Sequence, residues 1–187
     1  MSDRDYRSIG RLVRSCSLIE DACHSYLGWV SKASGPTLTI LLGQTGFSKK
    51  LALAETFAAL RGAKETERFK RLFDLDRIRE VFKCRNAVSH GFLLGQWPNG
   101  LFAFETTIAS GSNEDGMASI VTYSFGSDDI ALYADWAEEL AAQASHDLYI
   151  LEQRRERQQQ SLLPSGKSQP KPKRARSRPQ PQKPSQG

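Results

Sequence analysis

The hydrophobic period of this chain switches twice, from 3.6 to 2 near Gly91 and back near Ser127, and these switches constrain the fold more than any other feature. Before the first switch apolar residues recur every three or four positions, the spacing of one helix face. Ile9, Leu12, Val13, Cys16, Ile19, Cys23, Tyr26, Leu27 and Val30 mark such a face over residues 3–34, with Ser2 or Asp3 as N-cap and Gly35-Pro36 as the stop. Leu38 to Leu42 reads as either a helical turn or a brief extended piece. Ser48 to Leu60 is a second helix ending before Gly62, and Lys64 to His90 a third, with Asp74 as an internal cap or kink.

After Gly91 the alternation is that of strands. Phe92 to Trp97, Leu101 to Ile108 and Met117 to Phe125 are expected to pair around the turn Pro98-Asn99-Gly100 and a polar loop. Ser127, Asp128 and Asp129 then cap a last long helix with Ile130, Tyr133, Ala137, Leu140, Ala144, Leu148 and Leu151 on one face. The expected fold is mainly α (α+β): an antiparallel helical bundle with a small β-meander, over residues 92–126, inserted between the third and last long helices.

A length of 187 residues with 39% hydrophobic content suits one core, here assigned to residues 1–158. The net charge of +5 is unevenly placed. Residues 160–187 carry seven basic side chains (Lys167, Lys171, Lys173, Arg174, Arg176, Arg178 and Lys183) and no acid, leaving 19 basic against 21 acidic residues before them. Six of the eight prolines lie in the same stretch. Such a composition buries too little apolar area to offset chain entropy, so residues 159–187 read as a disordered, basic, Pro/Gln-rich tail. No run approaches the roughly 20 apolar residues of a membrane span, and the acidic start does not match a signal peptide, so a cytoplasmic protein without membrane contact is expected. Cys16 and Cys23, about 10 Å apart along one helix, cannot form a disulfide, and with Cys84 they read as reduced, buried side chains.

Chemistry concentrates in Arg85-Asn86-Ala87-Val88-Ser89-His90-Gly91, the end of the third helix. Asn86 and His90 stand at i and i+4, so the amide can reach the imidazole and set its ring orientation. Arg85 lies about 140° around the axis from His90, and convergence would need a left-handed Gly91, the reach of the arginine, or a second copy of the segment from a symmetry mate. An imidazole titrates near neutrality and can move the proton of a ribose 2′-hydroxyl, while a guanidinium matches the charge developing on phosphorus oxygens. This set suits RNA cleavage without a metal or other cofactor, and it spares DNA, which lacks the hydroxyl.

The pattern Arg85-Asn86-x-x-x-His90 at a helix end within a small bundle resembles the HEPN superfamily, whose motif is Arg, a polar residue often Asn, three more, then His. The likeness extends more loosely along residues 1–155. It implies a four- to five-helix bundle that dimerises through the motif helices, and a metal-independent endoribonuclease of toxin, defence or RNA-processing type, with an antitoxin or other protein as a possible partner. By that resemblance Arg85 would bind the scissile phosphate, His90 would be the acid/base and Asn86 would orient it. HEPN toxins silenced by nucleotide transfer carry a tyrosine two places after the histidine; here Phe92 stands there, so that control is not expected. The β insertion also lies outside the minimal bundle. The alternatives are a catalytically silent HEPN-like module that binds RNA or protein, and a plain helical interaction protein whose motif is only a helix end.

Other candidates carry less. Gly43-Gln44-Thr45-Gly46-Phe47-Ser48-Lys49-Lys50 has the wrong glycine spacing for a phosphate loop. Glu20 with His24, and His146 with Asp147, lack further ligands at metal spacing. Of Trp29, Trp97 and Trp136, core packing is the commoner fate, and Trp97 beside Pro98 is the one expected at the surface. The seven tail cations either tether RNA through phosphates or serve only solubility.

Overall fold

Ser2 sets where the first helix begins. Its hydroxyl accepts the Asp5 amide at 3.3 Å while the Asp5 carboxylate accepts the Ser2 amide at 2.6 Å, a reciprocal capping box that opens α1, Asp3–Ser31. The structure, a computed structural model, describes residues 1–109 and 118–162. Helix α1 ends at Lys32, in the left-handed region at φ 62°, three residues short of the expected stop. Gly35-Pro36 does not terminate α1; it opens α2, Gly35–Leu42, where the Ser34 hydroxyl accepts the Thr37 amide. A proline in a first turn gives up a donor the helix does not use, so the same dipeptide can end or begin one.

Helix α3, Phe47–Leu60, turns through Gly62 at φ 100° into α4, Ala63–Leu72. The third long segment is thus two helices, because Asp74 is a full N-cap: its carboxylate accepts the Arg77 amide at 3.2 Å and starts α5, Leu75–His90. Strands β1 (Phe92–Gln96), β2 (Phe102–Ala109) and β3 (Ala118–Phe125) form an antiparallel sheet in chain order. Gln96 faces Phe102, Phe102 faces Phe125, and a bulge falls between Leu93 and Gly95. The 97–101 turn closes with the Trp97 amide on the Leu101 carbonyl at 2.7 Å and Gly100 at φ 85°. Asp129 accepts the Gly126 amide at 2.8 Å at the start of α6, Ser127–Leu162.

Among the described residues the fold is therefore mainly helical, six helices with a three-strand antiparallel meander between α5 and α6, the expected α+β class. The chain divides into two compact units, Met1–Glu152 and Gln153–Gly187; the described part of the second is the last turns of α6. In the first unit Leu12, Cys16, Ile19, Cys23 and Leu27 of α1 meet Ala54 and Ala58, Ile78, Val81 and Cys84, and Ile130, Ala134 and Ala137, all buried. Phe102, Phe104 and Phe125 bring one sheet face into the same core. Tyr26, Phe69 and Phe73 form an aromatic cluster with ring centroids 5.3–5.7 Å apart. The Tyr26 hydroxyl donates to buried Glu65 at 2.9 Å, and Arg68 neutralises that carboxylate while covering the Trp29 ring.

Candidate functional site

Burial of Val81, Cys84 and Ala87 fixes the rotation of α5 and so decides where its last two turns send their polar side chains. Lys83, Asn86 and His90 fall on one exposed stripe, at i, i+3 and i+7. Arg85 falls on the flank that meets α1.

There the Arg85 guanidinium is four-fifths buried and held from two sides. Nη1 donates to the Asn86 side-chain carbonyl at 2.9 Å, and Nη2 stands 3.6 Å from Oε1 of Glu20 on α1. Its Nε is buried and has no hydrogen-bond partner among the described residues. Asn86 thus orients Arg85; among the described residues no hydrogen bond joins it to His90. The amide chooses its neighbour because Glu20 fixes the guanidinium within reach, whereas His90 is an exposed residue on the closing turn.

Gly91 also departs from expectation. It is extended, at φ −77° and ψ 152°, and leads straight into β1 while its amide donates to the Ala87 carbonyl at 2.8 Å. With no left-handed turn to fold it back, the end of α5 does not bring Arg85 and His90 together. They line adjoining cavities instead. One, of about 770 Å³, lies between α3, α5 and the sheet and is lined by His90, Asn86, Lys83, Phe47, Tyr123 and Thr106 among others. The second, of about 610 Å³, lies between Glu20, the 43–46 loop, the first turn of α3 and Arg85. Phe47, Ser48, Phe82 and Asn86 belong to both and form the wall between them.

Several residues of this region gave no sign in the sequence that they stand beside the motif. Lys49 and Lys50 line the Arg85 cavity with the 43–46 loop. That loop follows a helix, so it lacks the strand-loop-helix setting of a phosphate loop, and its glycine spacing alone could not have revealed its place beside Arg85. Tyr123 reaches the His90 cavity from β3, where Lys83 Nζ stands 5.6 Å from its ring centroid. Glu20 was visible only as a neighbour of His24.

The remaining candidates fall outside the cavities. Trp29 and Trp136 are half-buried beneath Arg68 and Arg77, each guanidinium 5.0 Å from a ring centroid, and Trp97 is exposed. His146 is exposed on α6. Burial pushes the thiols of Cys16, Cys23 and Cys84 up to about 12, against the opposing charge of Arg85 at Cys16 and of Lys50 at Cys23. Lys167, Lys171, Lys173, Arg174, Arg176, Arg178 and Lys183 lie outside the described residues. No helix among the described residues is long and apolar enough to cross a membrane. No family model, curated protein or solved structure matches the chain.

Proposed function

We propose that this protein is a metal-independent endoribonuclease for single-stranded RNA, of toxin, defence or RNA-processing type, acting in the cytoplasm as a homodimer through the motif Arg85-Asn86-x3-His90. The observation that carries the reading is the shared Asn86 wall, with the largely buried Arg85 and the exposed His90 lining adjoining cavities at the end of one helix. His90 takes the proton of a ribose 2′-hydroxyl, and the freed oxygen attacks the adjacent phosphorus. Arg85 stabilises the charge on the non-bridging oxygens. His90 passes the proton it has taken to the leaving 5′-oxygen as the P–O5′ bond breaks, and a 2′,3′-cyclic phosphate remains. Because the two groups of one chain face different cavities, the phosphate sits between Arg85 of one protomer and His90 of its partner. The basic tail, Lys167 to Lys183, holds the RNA by its phosphates.

The second reading, a silent HEPN-like module that binds RNA or a protein, is favoured by one feature: Glu20 and Asn86 already engage the guanidinium. Incubation of single-stranded RNA with excess chelator separates the two. Cleavage by the wild type that Arg85→Ala and His90→Ala each reduce by about 10²-fold or more supports the enzyme. Equal RNA integrity with all three proteins leaves the silent module.

A further inference from the structure

The cavity in front of His90 has a wall that the motif does not account for, and the sheet builds it. Tyr123 of β3 and Thr106 of β2, on the sheet face that carries Phe104, face α5 across the opening, and Phe47 closes the near end, stacked on Phe82 at 4.1 Å and 18°. Lys83 and Arg79 stand on the rim. Their acidic neighbours, Glu80 and Asp76, are exposed i−3 residues at 3.7 and 3.1 Å, so those pairings are weak and both cations can turn to another anion.

Character changes across the wall of Phe47 and Asn86. On the His90 side lie aromatic rings, the Thr106 hydroxyl and the Asn86 amide, with the acid Glu55 opposing the rim cations Arg79 and Lys83; on the other lie Lys49, Lys50 and Arg85 against the acid Glu20, the larger excess of positive charge. A nucleotide has the same polarity, a flat base with an edge of donors and acceptors joined to an anionic phosphate.

Resting on the ribonuclease reading, we infer that the β insertion completes a nucleobase subsite: one unpaired RNA base lies in the His90 cavity of one protomer against Tyr123 and Phe47, and its phosphate points toward Arg85, Lys49 and Lys50 of that same protomer, where His90 of the partner subunit meets it. Aromatic faces accept any base, and the Thr106 and Asn86 side chains can pair with its edge. A duplex keeps its base faces covered, so only a splayed, single-stranded base enters a cleft walled in this way. Lys83 moves off the Tyr123 ring to meet the base or its backbone. The insertion thereby sets the preference for single strands.

The test is binding without cleavage. A 2′-fluoro RNA heptamer, which has no attacking hydroxyl, is titrated by fluorescence anisotropy against the full-length wild type, Tyr123→Ala, Tyr123→Phe and Lys83→Ala, and abasic positions are walked along the heptamer. Tyr123→Ala is expected to weaken binding about 5- to 100-fold, the worth of one stacked base, while Tyr123→Phe stays within about twofold of wild type because the ring remains. One abasic position costs the wild type a similar factor and costs Tyr123→Ala nothing further. Lys83→Ala, an exposed change that does not threaten folding, lowers the log–log salt slope by about 0.7. If Tyr123→Ala fails to fold, the abasic walk on the wild type and Lys83→Ala decide the matter.

Tight RNA binding indifferent to Tyr123 and to every abasic position overturns the subsite. So does a dimer that Tyr123→Ala dissolves, since the cavity then belongs to a protein face. The two readings fail separately. Base-dependent binding without cleavage of natural RNA removes the nuclease and keeps the subsite, and cleavage at full rate by Tyr123→Ala does the reverse. Absence of any RNA binding removes both.

Discussion

Glu20 of α1 stands 3.6 Å from the guanidinium of Arg85 on α5, and both side chains are more than two-thirds buried. The pair ties the motif helix to α1 and holds the arginine where Asn86 can accept its Nη1 proton. It also competes with any phosphate. A partly exposed pair of this kind is worth about 0.2–1 kcal/mol, so Glu20→Gln is expected to raise RNA affinity by about 1.4- to fivefold at low salt, with the gain shrinking as salt rises. Anisotropy titrations at two ionic strengths measure it; weaker binding by Glu20→Gln would mean that the carboxylate positions Arg85 rather than restrains it.

The Tyr26 hydroxyl is a donor to the buried carboxylate of Glu65, and burial with that hydrogen bond pushes the phenol pKa upward. Tyr26→Phe keeps the ring among Phe69 and Phe73 but leaves Glu65 one donor short inside the core. The expected loss is about 1–3 kcal/mol, read as a lower urea midpoint with an unchanged slope. An unchanged midpoint would show that Arg68 alone satisfies the carboxylate.

Much of this architecture can be read from residue spacing because it is local. The switch of period at Gly91 and its return at Ser127 mark the sheet, and Asn99-Gly100 marks its first turn. Gly35-Pro36 and Asp74 show the limit of local signals: a proline can close or open a helix, and an aspartate cap fits a kink or a clean break equally well. Arg85, Asn86 and His90 stand out from their order alone. Their partners do not, since Glu20 is 65 positions from Arg85 and Tyr123 is 33 from His90, separations that only the packed chain closes. The choice of Asn86 for Arg85 instead of His90 follows from that long-range pairing.

The three cysteines are free and buried, and burial pushes each thiol up to about 12. Only the thiolate attacks a disulfide reagent, and burial both keeps these thiols protonated at pH 8 and holds them out of its reach. Ellman's reagent is expected to label none of Cys16, Cys23 and Cys84 within minutes in the folded protein and all three in denaturant. Rapid native labelling of even one would place it at the surface.

Acid should loosen the contacts of α1. Burial alone would raise the Asp5 carboxyl, but the Ser2 amide and the nearby Ser127 and Ser2 hydroxyls outweigh it and hold the pKa below its ordinary value. A hydrogen bond from Arg11 depresses Glu138 in the same direction, against a smaller opposing effect of burial. The unfolded chain therefore binds these protons at higher pH than the native one, and the stabilisation is complete above the ordinary carboxylate range of about 3.9–4.3 and lost as pH falls through the lower native values. Urea midpoints are expected to fall below about pH 4, less steeply in Asp5→Asn, and to a smaller degree in Glu138→Gln, whose side chain is half exposed. Parallel curves for all three proteins would remove both groups from the acid transition.

Gly91 joins the motif helix to the sheet, and its role is room rather than a left-handed backbone. A Cβ there would lie well inside contact with the Ala87 carbonyl oxygen and 3.2 Å from the Glu105 carbonyl oxygen on β2. Both are backbone atoms, one accepting the closing hydrogen bond of α5 and the other on the strand paired with β1, so neither can swing away. Gly91→Ala is therefore expected to cost about 1–3 kcal/mol through forced backbone displacement. The displacement must shift either the last turn of α5 or the start of β1, so His90 moves relative to Tyr123. Thermal melts with cleavage assays on Gly91→Ala and on Gly10→Ala check this, because a Cβ at Gly10 on α1 meets nothing within 4 Å and serves as the control. Equal melting temperatures for the two variants would show that the junction can open without loss.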